Sequence, residues 1–211
     1  MAPRRSGRTD ELSAAAEPIR VPRATGDTIR PAGWWGMVLL IATEATLFLL
    51  LVSTYFYLRH EAHGPWPPAP LTDPKYVKPL VAMVVLVASS VPMVVATRAA
   101  RNGRFATVRT ALSVALLLAI AFLAFEWVLV SDSLDTFRPQ DNAYGSIYYT
   151  LIGVHYAHTV AGALAVEWTI LRSRRFTTEH HLTLRVVALY WHFVNVIAVV
   201  VFLTLYVVPR A

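Results

Sequence analysis

The chain has 211 residues, of which 56 % are hydrophobic and only 15 % are charged. This composition is far more apolar than that of an ordinary soluble domain and indicates an integral membrane protein. The formal net charge of +6 comes from arginines spread along the chain, which argues against a nucleic-acid surface. Cysteine is absent, which excludes disulfide bonds, thiolate metal sites and cysteine nucleophiles.

Residues 1–32 are rich in Arg, Ala, Pro and Thr and contain no apolar core of the kind that defines a signal peptide. Their four acidic residues argue against an organellar transit peptide. We predict a mobile cytoplasmic tail ahead of a membrane domain at residues 33–211.

The membrane domain contains apolar runs of the roughly 20 residues that a spanning helix needs. They predict an all-α, polytopic membrane protein, a five-helix bundle with spans at about 33–58, 79–97, 110–130, 147–171 and 186–208. The tail, the connection 98–109 and the connection 172–185 hold six, four and four arginines, whereas the alternate connections and the C-terminal residues hold three, one and one basic residues. The positive-inside rule therefore predicts a cytoplasmic N-terminus and a C-terminus outside, in the periplasm.

The first span contains a single ionisable residue, Glu44, near its middle. An acidic group there costs on the order of 2.5–3.5 kcal/mol on insertion scales. Glu44 is therefore either hydrogen-bonded to a neighbouring helix or placed on a proton, ion or lipid pathway. Trp34 and Trp35 mark one headgroup level, and aromatic residues before Arg59 mark the other.

The second span is interrupted by Ser89, Ser90 and Pro92. Proline inside a membrane helix is tolerated when neighbouring helices satisfy the carbonyl that it frees. The interruption therefore predicts a kink rather than the end of the span.

The fourth and fifth spans contain polar stripes that suit contact with other helices. His155 and His158 are one helical turn apart, and His192 and Asn195 share a face of the last span. We predict a buried carboxylate and polar network of Glu44, His155, His158, His192 and Asn195. Two histidines and a carboxylate are also a conceivable metal set. The sequence nevertheless contains no phosphate loop, nucleophile elbow or metalloprotease signature, so we predict no catalytic residues, no metal and no cofactor bound by this chain.

Four stretches carry a resemblance to a known family: GMVLLIATEATLF at 36–48, YGSIYYTLIGVHYAHTVAG at 144–162, the pair at 180–181, and YWHFVNV at 190–196. FLAFEW at 122–127 adds a weaker fifth. In this combination and order the chain resembles subunit III of the haem–copper terminal oxidases, in the five-helix bacterial form.

The resemblance implies a non-catalytic subunit in a bacterial plasma membrane that stabilises subunit I, its lipids and proton uptake. It implies haems and copper in partner subunits, with subunit I as the main contact, subunit II and other oxidase subunits nearby, and cytochrome c as electron donor to the complex. Structural phospholipids are expected in a cleft between the first two helices and the remaining bundle. By motif position Arg172 matches a basic residue associated with lipid headgroups, and His180 and His181 match the paired, proton-collecting histidines of the family. Together with the residues at the ends of the first span, this predicts lipid binding by Trp34, Trp35, Arg59 and Arg172.

Two positions depart from the pattern of that family. Asn195 replaces the usual aspartate, and Ala198 stands where a tryptophan commonly follows. An amide can hydrogen-bond but cannot carry a charge, so an ionic role does not transfer to position 195.

Other functions remain open at the level of the sequence. The quinol-oxidase third subunit and an accessory protein of nitric oxide reductase share these motifs, and the glutamate at position 44 favours the cytochrome c branch. An independent proton or ion carrier using Glu44, His155 and His158, and a haem-binding membrane anchor, are hypotheses from other classes.

Overall fold

The structure is a computed structural model that describes residues 32–69, 71, 75–172 and 178–210, with the backbone alone at 178–181 and 210. Its regular elements are all helical, which confirms the all-α prediction for these residues. They are Ala32–Glu61 (α1), Val77–Ala88 (α2), Ser90–Arg101 (α3), Phe105–Leu134 (α4), Ala143–Arg172 (α5) and Thr178–Phe202 (α6), then a π turn at Leu203–Val207 and a 3-10 turn at Val208–Arg210. Apart from Ala32, the predicted tail lies outside the described residues.

Four stretches have the length and hydropathy of a membrane-crossing helix: Ala32–Glu61, Val77–Arg101, Phe105–Leu134 and Leu182–Val207. The protein is therefore a multi-pass membrane protein. Helix α5 matches α1 and α4 in length, at 30 residues, but is more polar. Its tyrosines, histidines and threonines lower its mean hydropathy, and for that reason composition alone does not identify α5 as a span.

Helices α2 and α3 form one apolar segment that is interrupted at Ser89. Pro92 has no backbone N–H, so it cannot donate the helical hydrogen bond to the carbonyl of Ala88. The chain then turns into α4 through Gly103, whose φ of 67° lies in the left-handed region that glycine adopts without strain. This tight turn makes α3 and α4 antiparallel neighbours.

Contacts near the helix ends establish the directions of the helices. Arg59, near the end of α1, donates to the carbonyl of Val208 beyond α6, while Lys78 at the start of α2 lies beside Asp132 near the end of α4. Helices α1, α4 and α6 therefore run one way, and α2–α3 and α5 run the other. We call the end of the bundle where α1 begins its amino end, and the end where α1 finishes its carboxyl end.

The buried core has two parts that differ in composition. The first includes residues from each of the helices α2 through α6 and is rich in alanine, which allows these helices to approach closely. The second lies toward the carboxyl end and is rich in aromatic rings, among them Tyr144, Tyr148 and Tyr206. Helix α1 packs on α5 and α6 and buries only Phe48 and Tyr55. It is therefore attached to one side of the bundle.

Candidate functional site

The intramembrane carboxylate predicted to need a partner has one. Glu44 on α1 lies with Oε2 at 2.9 Å from Nε2 of His158 on α5. The side chain of Glu44 is 27 % exposed and that of His158 is 16 % exposed, so the pair is largely removed from solvent. This contact fastens the weakly packed α1 to the bundle at mid-helix.

The second ring nitrogen of His158 determines which proton arrangements the pair can adopt. Nδ1 lies 2.7 Å from the carbonyl oxygen of Val154, one turn earlier on α5. A carbonyl only accepts, so Nδ1 carries a proton. Nε2 then either donates a second proton to an ionised Glu44 or accepts from a protonated Glu44. Both arrangements are neutral overall, and both hold one proton between α1 and α5.

Two aromatic residues restrict this pair from the sides. Phe48, which is 2 % exposed, packs edge-on against the His158 ring with the centroids 5.1 Å apart. The hydroxyl of Tyr190 on α6 donates to the backbone carbonyl of His158 at 3.3 Å. The imidazole is thus held by α1 and by its own helix, while Tyr190 joins the backbone of α5 at this position to α6.

A cavity of about 410 Å³ opens beside the pair, between α1, α5 and α6. Its α5 wall consists of Ala157, Ala161 and Ala165, which recur every fourth residue and leave a shallow groove. Met37 and Leu40 of α1 line the other side, with Glu44 next to them. The cavity is therefore an apolar cleft with a single polar pair at its wall.

His155 lies apart from the Glu44–His158 pair although it is only one turn away on the same helix. Its ring is 5 % exposed and lies edge-on to Phe122 of α4, with the centroids 5.9 Å apart. Within the described residues, neither ring nitrogen has a hydrogen-bond partner. No three histidine, aspartate or glutamate side chains of the described residues come together as metal ligands.

Asn195 belongs to a different contact, at the interruption between α2 and α3. Its amide nitrogen donates to Oγ of Ser90 at 2.8 Å, and the indole nitrogen of Trp191, one turn earlier, donates to Oγ of Ser89 at 2.9 Å. The polar face of α6 therefore holds the kink of the α2–α3 segment. The structure does not join Asn195 to Glu44, and His192 is partly exposed on α6.

The residues predicted to contact lipid lie in three settings. Trp34 and Trp35 stack edge-to-face at the start of α1, and Trp35 is 54 % exposed. Arg172 lies over the ring of Trp168, 4.7 Å from its centroid, at the end of α5. Arg59 is partly buried because its guanidinium donates to Val208 at 2.8 Å. The side chains of His180 and His181 lie outside the described part of the chain.

Reasoning from the sequence did not identify Tyr190, Ser89 or Ser90 as partners of the polar residues. The serines carry a usable signal, because two hydroxyls beside a proline in an apolar helix need donors or acceptors from another helix. Tyr190 carries none, since its contact is with a backbone carbonyl that depends on how α5 and α6 cross.

Comparison with known proteins gives a consistent result. The sequence profile of the family described as cytochrome c oxidase subunit III matches residues 26–209, which include all six helices. The chain is 32 % identical over 180 residues to the probable cytochrome c oxidase subunit 3 of Nocardia farcinica, covering 82 % of this chain and 86 % of that protein. It is 31 % identical over 180 residues to the cytochrome c oxidase subunit 3 of Gadus morhua, covering 82 % and 68 %. The resemblance predicted from the motifs is confirmed.

Proposed function

The chain belongs to the cytochrome c oxidase subunit III family, and on this premise we propose that it is the non-catalytic subunit III of an aerobic cytochrome c oxidase. That complex reduces oxygen to water and couples the reaction to proton pumping. The observation that carries the proposal is the family match, which extends over every helix of the membrane domain. Other oxidase subunits are the partners implied by membership.

We propose a five-span topology in a bacterial plasma membrane, in which α5 is the fourth span and crosses between α4 and α6. Helix α5 has the length to cross and packs against α4 and α6, which shield its polar residues from lipid. With the amino end of the bundle at the cytoplasm, the arginine-rich connection 98–109 faces inward, as the positive-inside rule requires.

The partner subunits supply the redox centres in this proposal. Subunit I holds the haems and copper, and cytochrome c delivers electrons to the complex. This chain packs mainly against subunit I and contributes no catalytic residue. The exposed apolar side chains of α1, such as Leu39, Leu47 and Leu50, provide one face for that contact or for lipid.

The Glu44–His158 pair has a structural and a proton-related role in this proposal. It attaches α1 to the bundle, and it holds one proton at a position removed from bulk solvent. Together with His180 and His181, which collect protons at the cytoplasmic surface, it supports proton uptake by subunit I. His155, His192 and Asn195 contribute polar packing within the bundle.

The cleft beside Glu44 is a suitable place for the acyl chain of a structural phospholipid. Its walls are alanine, leucine and methionine side chains, and it opens to the side of the bundle. Trp34 and Trp35 at one end and Arg172 at the end of α5 supply groups that contact headgroups. Arg59 has N–H donors beyond the one that Val208 accepts, and these can reach a phosphate.

The subunit proposal is tested by mild-detergent purification on a tag at the N-terminal tail. The eluate is examined by optical spectrum and by oxygen consumption with reduced cytochrome c or with quinol. We expect haem-bearing larger subunits and uptake driven by cytochrome c. Uptake driven by quinol alone would instead assign the chain to a quinol oxidase, and nitric oxide reduction by the eluate would assign it to a nitric oxide reductase.

A second candidate function, an independent proton carrier, is favoured by the position of a one-proton pair at the wall of an open cleft. It predicts proton flux through liposomes that contain the purified chain alone, and loss of that flux in Glu44→Gln. The subunit proposal predicts no flux from the isolated chain.

A further inference from the structure

A second cavity, of about 710 Å³, lies at the carboxyl end of the bundle. It is bordered by Leu71, Lys75 and Tyr76 ahead of α2, and by the first turn of α2, the end of α4, the start of α5 and the π turn after α6. The chain contains only two lysines, Lys75 and Lys78, and both line this cavity. The seventeen arginines of the chain lie elsewhere in the sequence, so the placement of both ammonium groups here singles out this cavity.

The described residues at the rim of the cavity carry a net positive charge. Nζ of Lys78 lies 3.7 Å from Oδ2 of Asp132, and both side chains are more than half exposed. Asp132 neutralises one of the two ammonium groups, and Lys75 is exposed beside them. Among the described lining residues, two ammonium groups are accompanied by one carboxylate, and this balance attracts an anion.

The interior of the cavity is predominantly apolar and aromatic. Its walls are formed by Leu129, Phe137, Tyr144, Tyr148 and Tyr206. The hydroxyls of Tyr148 and Tyr206 lie 2.8 Å apart and satisfy each other, so they leave ring faces as the main surface. Such a wall suits a hydrocarbon chain better than a small hydrated ion.

The position of the cavity matches the boundary between headgroups and hydrocarbon. Large apolar side chains on the neighbouring outer faces of α2 and α4 are exposed, with Val81 at 50 %, Trp127 at 64 % and Val128 at 51 %. In a membrane protein these faces contact lipid. Lys75 and Lys78 lie beyond them toward the helix ends, at the depth where lysine reaches phosphate groups.

We propose that this cavity is a binding site for an anionic phospholipid. The lipid phosphate lies between the ammonium groups of Lys75 and Lys78, and one acyl chain lies along the aromatic wall. The chemistry that is recognised is an anionic phosphate joined to an apolar tail. Inorganic phosphate offers the anion without the tail, and a zwitterionic phospholipid offers the tail without the net negative charge.

The proposal is tested by native mass spectrometry of the purified full-length chain, titrated with phosphatidylglycerol, phosphatidylcholine or inorganic phosphate. The variants are Lys75→Gln and Lys78→Gln, with Arg138→Gln as the matched control. Arg138 is an exposed basic residue at the same end of the bundle and does not line the cavity. A fourth variant, Leu129→Trp, fills the apolar interior without changing charge.

We expect phosphatidylglycerol to bind the wild type and Arg138→Gln equally. Each lysine variant should weaken binding about fivefold, as removal of one lysine near anionic lipid does. Leu129→Trp should weaken it as well, and phosphatidylcholine should bind less tightly than phosphatidylglycerol.

Three results would overturn the proposal. One is phosphatidylglycerol binding that is the same in all four variants. Another is phosphatidylcholine binding as tight as that of phosphatidylglycerol, since the anionic headgroup then has no role. The third is displacement of the lipid by inorganic phosphate together with no effect of Leu129→Trp, which would identify a simple anion site at the rim.

Discussion

Nε2 of His158 lies 2.9 Å from Oε2 of Glu44, and this contact joins α5 to a helix that buries only two of its 30 residues. Because Nδ1 of His158 donates to Val154, the pair is neutral whichever atom holds the shared proton. A neutral pair avoids most of the cost of placing a carboxylate in a membrane helix. The contact therefore explains how Glu44 is tolerated and how α1 is held.

Replacing Glu44 with glutamine should leave this attachment nearly intact. The glutamine amide can donate to Nε2 of His158, so the hydrogen bond survives without the shared proton. Glu44→Leu should instead leave Nε2 without a partner and lower the free energy of unfolding by about 1–3 kcal/mol. Thermal denaturation of the purified complex measures the difference.

The control for this pair of variants is Glu167→Gln, which alters an exposed carboxylate on α5. It should leave the denaturation midpoint unchanged. If Glu44→Gln proved as destabilising as Glu44→Leu, the ionised form of the pair would be the one that holds α1. Assembled oxidase with Glu44→Gln is expected to show oxygen uptake only modestly below that of the wild type.

Ser89→Ala should destabilise the kink between α2 and α3. The substitution removes the acceptor for the indole N–H of Trp191, which is fully buried. An unpaired buried donor costs about 1–3 kcal/mol. The shift in denaturation midpoint is compared with that of Ser113→Ala, which removes an exposed hydroxyl from α4. Equal shifts for the two serines would show that the bond to Trp191 contributes nothing.

Two of the three glycines of α5, Gly153 and Gly162, have different surroundings and provide a matched test of close packing. A Cβ added at Gly162 would lie 2.9 Å from the ring of Trp191, which has no room to move, whereas one added at Gly153 meets no atom within 4 Å. Gly162→Ala should therefore force α5 and α6 apart, at a cost of about 1–3 kcal/mol. Gly153→Ala should be neutral or slightly stabilising, because alanine favours a helix over glycine.

Denaturation midpoints of the two alanine variants, measured in the same detergent, test whether α5 and α6 pack closely at Gly162. A similar midpoint for both would mean that the α5–α6 crossing is looser than the contact between Gly162 and Trp191 implies. A lower midpoint for Gly153→Ala alone would indicate that its open face is covered by a partner subunit in the complex.

The helices and the importance of Glu44 could be predicted from the sequence because both depend on hydropathy along the chain. An apolar run has to be helical in a bilayer, and a carboxylate inside it has to be compensated. The interruption at Ser89 was likewise visible, because serine and proline disturb a helix locally.

The identity of the partners could not be predicted in the same way. His155 and His158 are one helical turn apart, and their positions in the sequence do not show which neighbouring helix each of them faces. Only the rotation of α5 decides that His158 faces α1 while His155 faces α4. The same holds for Asn195, whose partner Ser90 depends on how α6 crosses the α2–α3 segment. These rotations follow from side-chain packing between helices, which hydropathy does not encode.

His155 and His158 should respond in opposite ways to the same substitution. The ring nitrogens of His155 have no partner within the described residues, so His155→Leu removes a buried polar group whose hydrogen bonds are unmade. Its denaturation midpoint should stay the same or rise. His158→Leu removes the partner of Glu44 and should lower the free energy of unfolding by about 1–3 kcal/mol.

Oxygen consumption by the assembled oxidase distinguishes packing from a functional role at position 155. Fully assembled oxidase with His155→Leu should keep the oxygen-uptake rate of the wild type over successive turnovers. The reason is that the His155 ring is buried against Phe122 and lies apart from the Glu44–His158 pair. A lower midpoint in His155→Leu would mean that a buried water or a partner subunit satisfies the imidazole. A normal midpoint with a falling rate of oxygen uptake would assign His155 to the proton route, because leucine preserves the packing there but cannot carry a proton.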